Sequence, residues 1–337
     1  MTHTPDVSRR RFVTAALGAA FASTWRVAAV AQDAPVAVTI ALSSNALPYG
    51  GLFIAEKAGL FGKHGVAPKI VVMDSGNAAT TALISGSAQF SSSGPGEVLA
   101  ARARGQPVTI VANIYRGLSA SLVLAKPVAD KLNVAPTAPV RERLKALDGL
   151  AIAAPSATSA YLHPVKRAAE EVGAKPRFLY MSQPAMVAAL QTGAIQAMLA
   201  GAPYSYTPVS RGYGVTWISG PKGELPPEVQ PTSSACLQTT EQYAGANPAV
   251  IARMRAVLDE LAQYIRSTPD EAKRNLAAAY PQLDPAAIDQ AFALDAANWS
   301  RPVLTEADIQ QEIRILASTG LVAGVTNVKP AEVLWKR

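Results

Sequence analysis

Few residues in this chain have the type and spacing that chemistry requires. The three histidines are His3, His64 and His163, and none stands in a His-Glu-x-x-His arrangement. No Gly-x-Ser-x-Gly nucleophile elbow occurs. Ser92-Ser93-Gly94-Pro95-Gly96-Glu97 is glycine-rich, yet it lacks the Lys-Ser/Thr ending with which a phosphate-binding loop grips its ligand. The single cysteine, Cys236, excludes an internal disulfide and any Cys-based zinc or iron–sulfur site. Asp74, Glu97 and Asp148 read as isolated acids of the exposed kind. These residues argue against catalysis, and no metal or cofactor is expected.

Binding is better served. Six short segments are small, polar and rich in glycine or serine: 43–49, 74–77, 91–94, 155–159, 182–184 and 201–204. Ser44, Asn45, Tyr49, Ser75, Gly76, Ser92 and Ser93 are their candidate ligand contacts in the first half of the chain. Ser156, Thr158, Ser159, Gly201 and Tyr204 are the candidates in the second. Hydroxyls and bare amides at a helix start offer donors and a positive dipole end to a ligand. Any one Ser or Thr taken alone reads more readily as a helix cap, so the argument rests on the six segments converging. Arg116 either grips a carboxylate or sulfonate with its planar fork or lies exposed in the turn before Gly117. Tyr49 and Tyr204 either flank a ligand or are buried edge tyrosines.

An internal repeat positions these segments. Residues 82–89 align with 189–196 at a constant offset of 107, which also pairs Gly94 with Gly201 and Gly105 with Gly212. Upstream the offset becomes 108, pairing Gly65 with Gly173 and Met73 with Met181. Each copy reads as strand, helix, strand, helix, strand. Apolar runs rich in β-branched residues predict strands over 36–42, 69–73 and 88–91, then 150–154, 177–181 and 196–199. Asn77 or Thr80 is expected to cap the helix that ends near Gly86. Alternating strands and helices imply two parallel-type α/β units, whose ligands sit beyond the strand carboxyl ends.

After the second copy the pattern is helical. Asn247-Pro248, Thr268-Pro269 and Asp284-Pro285 each set a capping residue before a proline suited to the first helical turn. Thr305-Glu306 starts a further helix ending near Gly320. This tail is expected to pack on one of the two units.

Composition narrows the class. The chain is 49% hydrophobic and 16% charged, enough apolar residue for a core and too much for disorder. Its net charge of +7 includes Arg9, Arg10, Arg11 and Arg26 against Asp6 alone, and without these five residues it is +4. No dense basic block remains, so a nucleic-acid partner is not expected. Ser8-Arg9-Arg10-Arg11-Phe12-Val13, a short apolar stretch and Ala29-Val30-Ala31 resemble a twin-arginine export signal cleaved near Ala31. No later segment is long and apolar enough to span a bilayer.

Residues 49–61, Tyr-Gly-Gly-Leu-Phe-Ile-Ala-Glu-Lys-Ala-Gly-Leu-Phe, resemble the AxxxGLF segment of the nitrate/sulfonate/taurine-type solute-binding proteins of ABC importers. Residues 82–90 resemble that family's ALxxGxxDF element, with Gln89 where the family often carries Asp, and 189–198 resemble its second-lobe counterpart. The resemblance spans the mature chain. It implies an α/β, type II periplasmic-binding-protein fold: two α/β lobes joined by two crossing segments, with extra C-terminal helices on lobe one. The expected boundaries are a signal peptide at 1–31, lobe one at 32–117 and 239–337, and lobe two at 118–238. The first crossing is expected near 116–121 and the return near 234–238. The resemblance further implies a periplasmic, monomeric, non-enzymatic subunit that closes like a hinge on a small-molecule solute. Its partners would be a permease and an ATPase, and the twin-arginine translocase during export. Pocket polarity favours an anionic solute, an aliphatic sulfonate, taurine or a carboxylate. The alternatives are a thiamine-precursor-like pyrimidine or other neutral heterocycle, and a sensor acting on a receptor rather than a permease. An enzyme that makes such a precursor resembles the family distantly, but it depends on a cysteine cluster that this chain lacks.

Overall fold

Among the described residues ten strands form two five-stranded sheets. The first holds β1 (Val36–Leu42), β2 (Val66–Val72), β3 (Phe90–Ser93), β4 (Val108–Arg116) and β10 (Ser233–Thr240), in the order β2-β1-β3-β10-β4. The second holds β5 (Ala120–Ala125), β6 (Ala151–Ala154), β7 (Arg177–Tyr180), β8 (Ala197–Gly201) and β9 (Gly214–Ser219), in the order β7-β6-β8-β5-β9. The structure is a computed structural model and describes residues 34–336 apart from 282, 284 and 300–302. The export signal, its cleavage site near Ala31 and the capping residue Asp284 therefore lie outside the described residues.

The two sheets share one plan. β1 pairs in parallel with β2 and β3, as β6 does with β7 and β8. Each sheet also contains one antiparallel strand that arrives from the other lobe: β5 leads out of β4, and β10 returns after β9. The repeat is thus a structural duplication. Gly86 and Gly193 both turn at positive φ, 78° and 76°, where the absent Cβ makes left-handed backbone cheap. Pro68 lies within β2, an edge strand, where its missing N–H is tolerated. That placement starts the strand three residues earlier than the sequence predicts.

Three sequence expectations are corrected here. Ser92 and Ser93 form the end of β3 rather than a loop, held by Gln238 of β10: Ser91 Oγ donates to Gln238 Oε1 at 3.1 Å and Gln238 Nε2 donates to Ser93 Oγ at 2.8 Å, while Ser92 Oγ has no partner among the described residues. A helix then follows, Pro95–Ala103. The helix Gly76–Ile84 is capped by Ser75, whose Oγ accepts from Ala78 N at 3.2 Å, not by Asn77 or Thr80. The return also comes earlier than residues 234–238, since β10 already pairs with β3 and β4 of the first sheet.

The tail helices begin at their prolines: Pro248–Ser267, Pro269–Ala279 and Pro285–Asp295. The first buries Val250, Ile251, Met254, Val257, Leu258, Leu261 and Ile265 on one face, against the core of the first lobe around Trp299 and Tyr280. The helix Glu306–Thr319 opens with a capping box made by Thr305 and Asp308 and ends at Gly320, φ 65°. It touches both Pro95–Ala103 of the first lobe and Leu162–Glu171 of the second, so it bridges the lobes instead of packing on one. Its buried Glu312 accepts from Thr232 N (2.5 Å) and Thr232 Oγ1 (2.8 Å), tying this helix to the returning segment.

Candidate functional site

The parallel strands of both sheets end at a common cleft. β1 runs into Ser43 and Ser44, β3 into Gly94, and β6 into Pro155, and all four residues line it. Open α/β sheets place their ligands beyond such strand ends. Tyr49 enters from the turn before the first helix, its hydroxyl bonded to Ser43 Oγ. Tyr161 enters from the second lobe, its hydroxyl accepting from Ser119 Oγ at 3.1 Å. Ser234 joins the wall from the returning segment, where its Oγ accepts from Ser119 N (3.0 Å) and donates to Gly117 O (2.6 Å). These bonds lock the two crossings side by side.

The lobes meet across the cleft. Gln183 Nε2 donates to Ser44 Oγ at 2.9 Å, and Thr158 Oγ1 donates to Asn77 Oδ1 at 3.2 Å. The backbone contributes as well, with Leu47 N donating to Ala202 O at 2.6 Å. Glycine permits this approach: a Cβ on Gly96 would collide with Thr158 O, and one on Gly94 would lie 2.8 Å from Ala160 Cβ. The space left between the lobes is about 20 Å³, room for a single water.

One charged side chain dominates the floor. Glu97, in the first turn of Pro95–Ala103, is 4% exposed, and its carboxyl is lodged where a Cβ on Gly76 would fall. Burial pushes its pKa up to about 8, against the opposing pull of its own backbone N–H and of the Ser156 and Thr158 hydroxyls beside it. Its Oε2 has no hydrogen-bond partner among the described residues. Asp74 is the second acid on the lining, and no described Lys, Arg or His lines the cleft. His163, nearby in Leu162–Glu171, is buried, and desolvation lowers its pKa to about 4, so it stays neutral. Among the described residues no group of three or more His, Cys, Asp or Glu is placed to hold a metal ion. No described helix is long and apolar enough to cross a membrane.

Of the residues singled out from the sequence, Ser44, Tyr49, Gly76 and Ser159 line the cleft. Ser156, Thr158 and Gly201 stand just behind it. Ser156 Oγ is 3.2 Å from Thr158 Oγ1, and Gly201 N donates to Gln183 Oε1 at 2.9 Å. Ser75 caps its helix, Asn45 is half-buried in the loop after β1, and Ser92 and Ser93 are buried in β3. Tyr204 packs half-buried against the cores of both lobes. Arg116 is not brought to the cleft. Its guanidinium lies 3.9 Å from Asp308 beside a separate groove with Gly117 and Gly220. Glu97 and Tyr161 escaped sequence reasoning, and Gln183 lay in the segment 182–184 without being singled out as a contact. Glu97 reads as an exposed acid, and only the glycines at 94 and 96 beside it signal a crowded site.

Two α/β lobes that exchange one antiparallel strand each and share a cleft at their strand ends define a periplasmic-binding-protein fold. Residues 32–280 match the NMT1-like family, and the chain belongs to it. Among solved structures, a protein from Bordetella bronchiseptica RB50 is similar, at 21% identity and a TM-score of 0.72 over 89% of this chain and 94% of that one. The alkanesulfonate-binding protein SsuA from Xanthomonas axonopodis pv. citri, bound to MOPS, is 17% identical with a TM-score of 0.72 over 90% and 99% of the two chains. The periplasmic nitrate-binding protein NrtA from Synechocystis PCC 6803 is 15% identical with a TM-score of 0.66 over 88% and 87%. At these identities the likeness carries the fold. No curated protein matches the chain.

Proposed function

We propose that this chain is the periplasmic solute-binding subunit of an ABC importer and performs no chemistry on its solute. Exported through the twin-arginine translocase and cleaved near Ala31, it would act as a monomer that delivers its closed form to a permease driven by an ATPase. The observation that carries this reading is the cleft itself, walled by both lobes and bridged by Gln183 to Ser44 and Thr158 to Asn77. A solute touching both walls has differential affinity for the closed state, which is what closure requires.

The sequence ranks a sulfonate, taurine or carboxylate above a pyrimidine-like heterocycle. The cleft supports the reverse order. An anion there would be desolvated beside Asp74 and Glu97 with no described cationic side chain on the lining. A thermal-shift screen of the mature chain against sulfonates, nitrate, dicarboxylates, amines, amidines and pyrimidines tests the function. A solute at 100 times its Kd stabilises by about 2.7 kcal/mol, enough to raise the melting temperature by several degrees. Absence of a shift with every class, together with scattering that shows no compaction, would sink the reading.

A further inference from the structure

The carboxyl of Glu97 is nine-tenths buried, faces the cleft, and keeps Oε2 unpartnered. A buried acceptor without a partner costs free energy that a ligand donor recovers. The groups whose charge acts on it are Tyr49, Tyr161, Cys236 and Glu312, from the first-lobe turn, the second lobe, β10 and the bridging helix, and Asp74 shares its lining. None of these side chains is cationic and the neighbouring His163 is held neutral, so no positive charge on the described lining answers Glu97. Gly76 and Gly94 leave the carboxyl its room, since a side chain at either would press on it.

We infer that Glu97 is the recognition residue of this cleft and that the solute is a small nitrogen base, an amidine, guanidine or amino-substituted heterocycle, whose N–H donates to Glu97 Oε2. This inference rests on the solute-binding reading above. An amidinium or guanidinium entering at neutral pH pairs with the carboxylate, and the proton that Glu97 held passes to solvent. Charge is conserved: one cation enters and one proton leaves.

Titration calorimetry of the mature chain tests it, with acetamidine, methylguanidine and 4-aminopyrimidine against ethanesulfonate, acetate and nitrate. The expected result is binding of at least one nitrogen base, weakened tenfold or more by Glu97→Gln. For the amidinium or guanidinium, titration at pH 7 in two buffers of different protonation enthalpy should report a released proton. Glutamine keeps the size and an N–H donor, so an anion held by donors would survive that substitution. Glu97→Asp, which retains the charge but withdraws it, is the second variant if glutamine destabilises the fold. Failure of all three bases to bind overturns the inference, and so does equal affinity for wild type and both variants. An anion bound alike by wild type and E97Q overturns it too, while leaving the solute-binding reading standing.

Discussion

Gln183 joins the lobes through both ends of its amide: Nε2 donates to Ser44 Oγ at 2.9 Å across the cleft, and Oε1 accepts from Gly201 N at 2.9 Å within its own lobe. The Gly201 bond fixes the orientation of the amide, since its N–H must meet oxygen, and so points the NH₂ group at the first lobe. Closure and the integrity of β8 therefore share one side chain. Gln183→Ala should weaken solute binding about fivefold, as expected for a lost hydrogen bond of about 1 kcal/mol. It should also lower the melting temperature, because Gly201 N–H is left buried without an acceptor. Calorimetry and thermal unfolding separate the two effects.

Gly96→Ala should separate them in the opposite way. The added Cβ meets Thr158 O only when the lobes are together, whereas within its own helix alanine is better than glycine by up to about 1 kcal/mol. The expected outcome is an unchanged or slightly raised melting temperature with solute affinity down tenfold or more. Small-angle scattering should show a chain that stays expanded when solute is added.

Stability should fall as pH rises above neutrality. Burial pushes Glu97 up from 4.5 to about 8, Glu312 from 4.5 to about 7 and Asp295 from 3.8 to about 7. Between the unfolded and folded pKa values of each acid the folded chain holds more protons, so its contribution is full at low pH and is lost through those windows. His163, pushed down from 6.5 to about 4, acts in the opposite sense and destabilises as pH falls from 6.5 to 4. From pH 7.5 to 8.5 His163 has largely finished titrating in both states and the carboxyls govern this set, so the melting temperature should drop over that range. Glu97→Gln should flatten the drop, and an unchanged slope would contradict the burial of Glu97.

The duplication can be tested residue for residue. Gln89 Oε1 accepts from Thr39 N at 2.9 Å, and Gln196 Oε1 accepts from Ala151 N at 2.8 Å, the same bond in each lobe. Gln89→Leu and Gln196→Leu should each destabilise by about 1 kcal/mol, since each strands one strand N–H. The sites are in different lobes, so the double variant should show additive losses within about 0.5 kcal/mol in urea unfolding.

What could be read directly from residues was local chemistry. Prolines at 248, 269 and 285 start helices and Gly193 and Gly320 stop them, because a fixed φ or a missing Cβ acts on its own backbone whatever lies around it. The duplication was legible for the same reason, as both copies need glycine at the same positive-φ turns. The site was only partly legible. Serine in Ser91–Ser93 suggests a solvated loop until Gln238, nearly 150 residues later, arrives to bond it. Arg116 ends beside Asp308, and Glu97 goes beneath Gly76 in a cleft it shares with Tyr49 and Tyr161. Whether an acid is exposed or buried depends on which distant segment covers it, and here the cover comes from the other lobe. The sequence alone determined two α/β units, their order and their helical tail. Tertiary structure decided which carboxyl faces the cleft, because desolvation is a property of the assembled cleft and of no single stretch of chain.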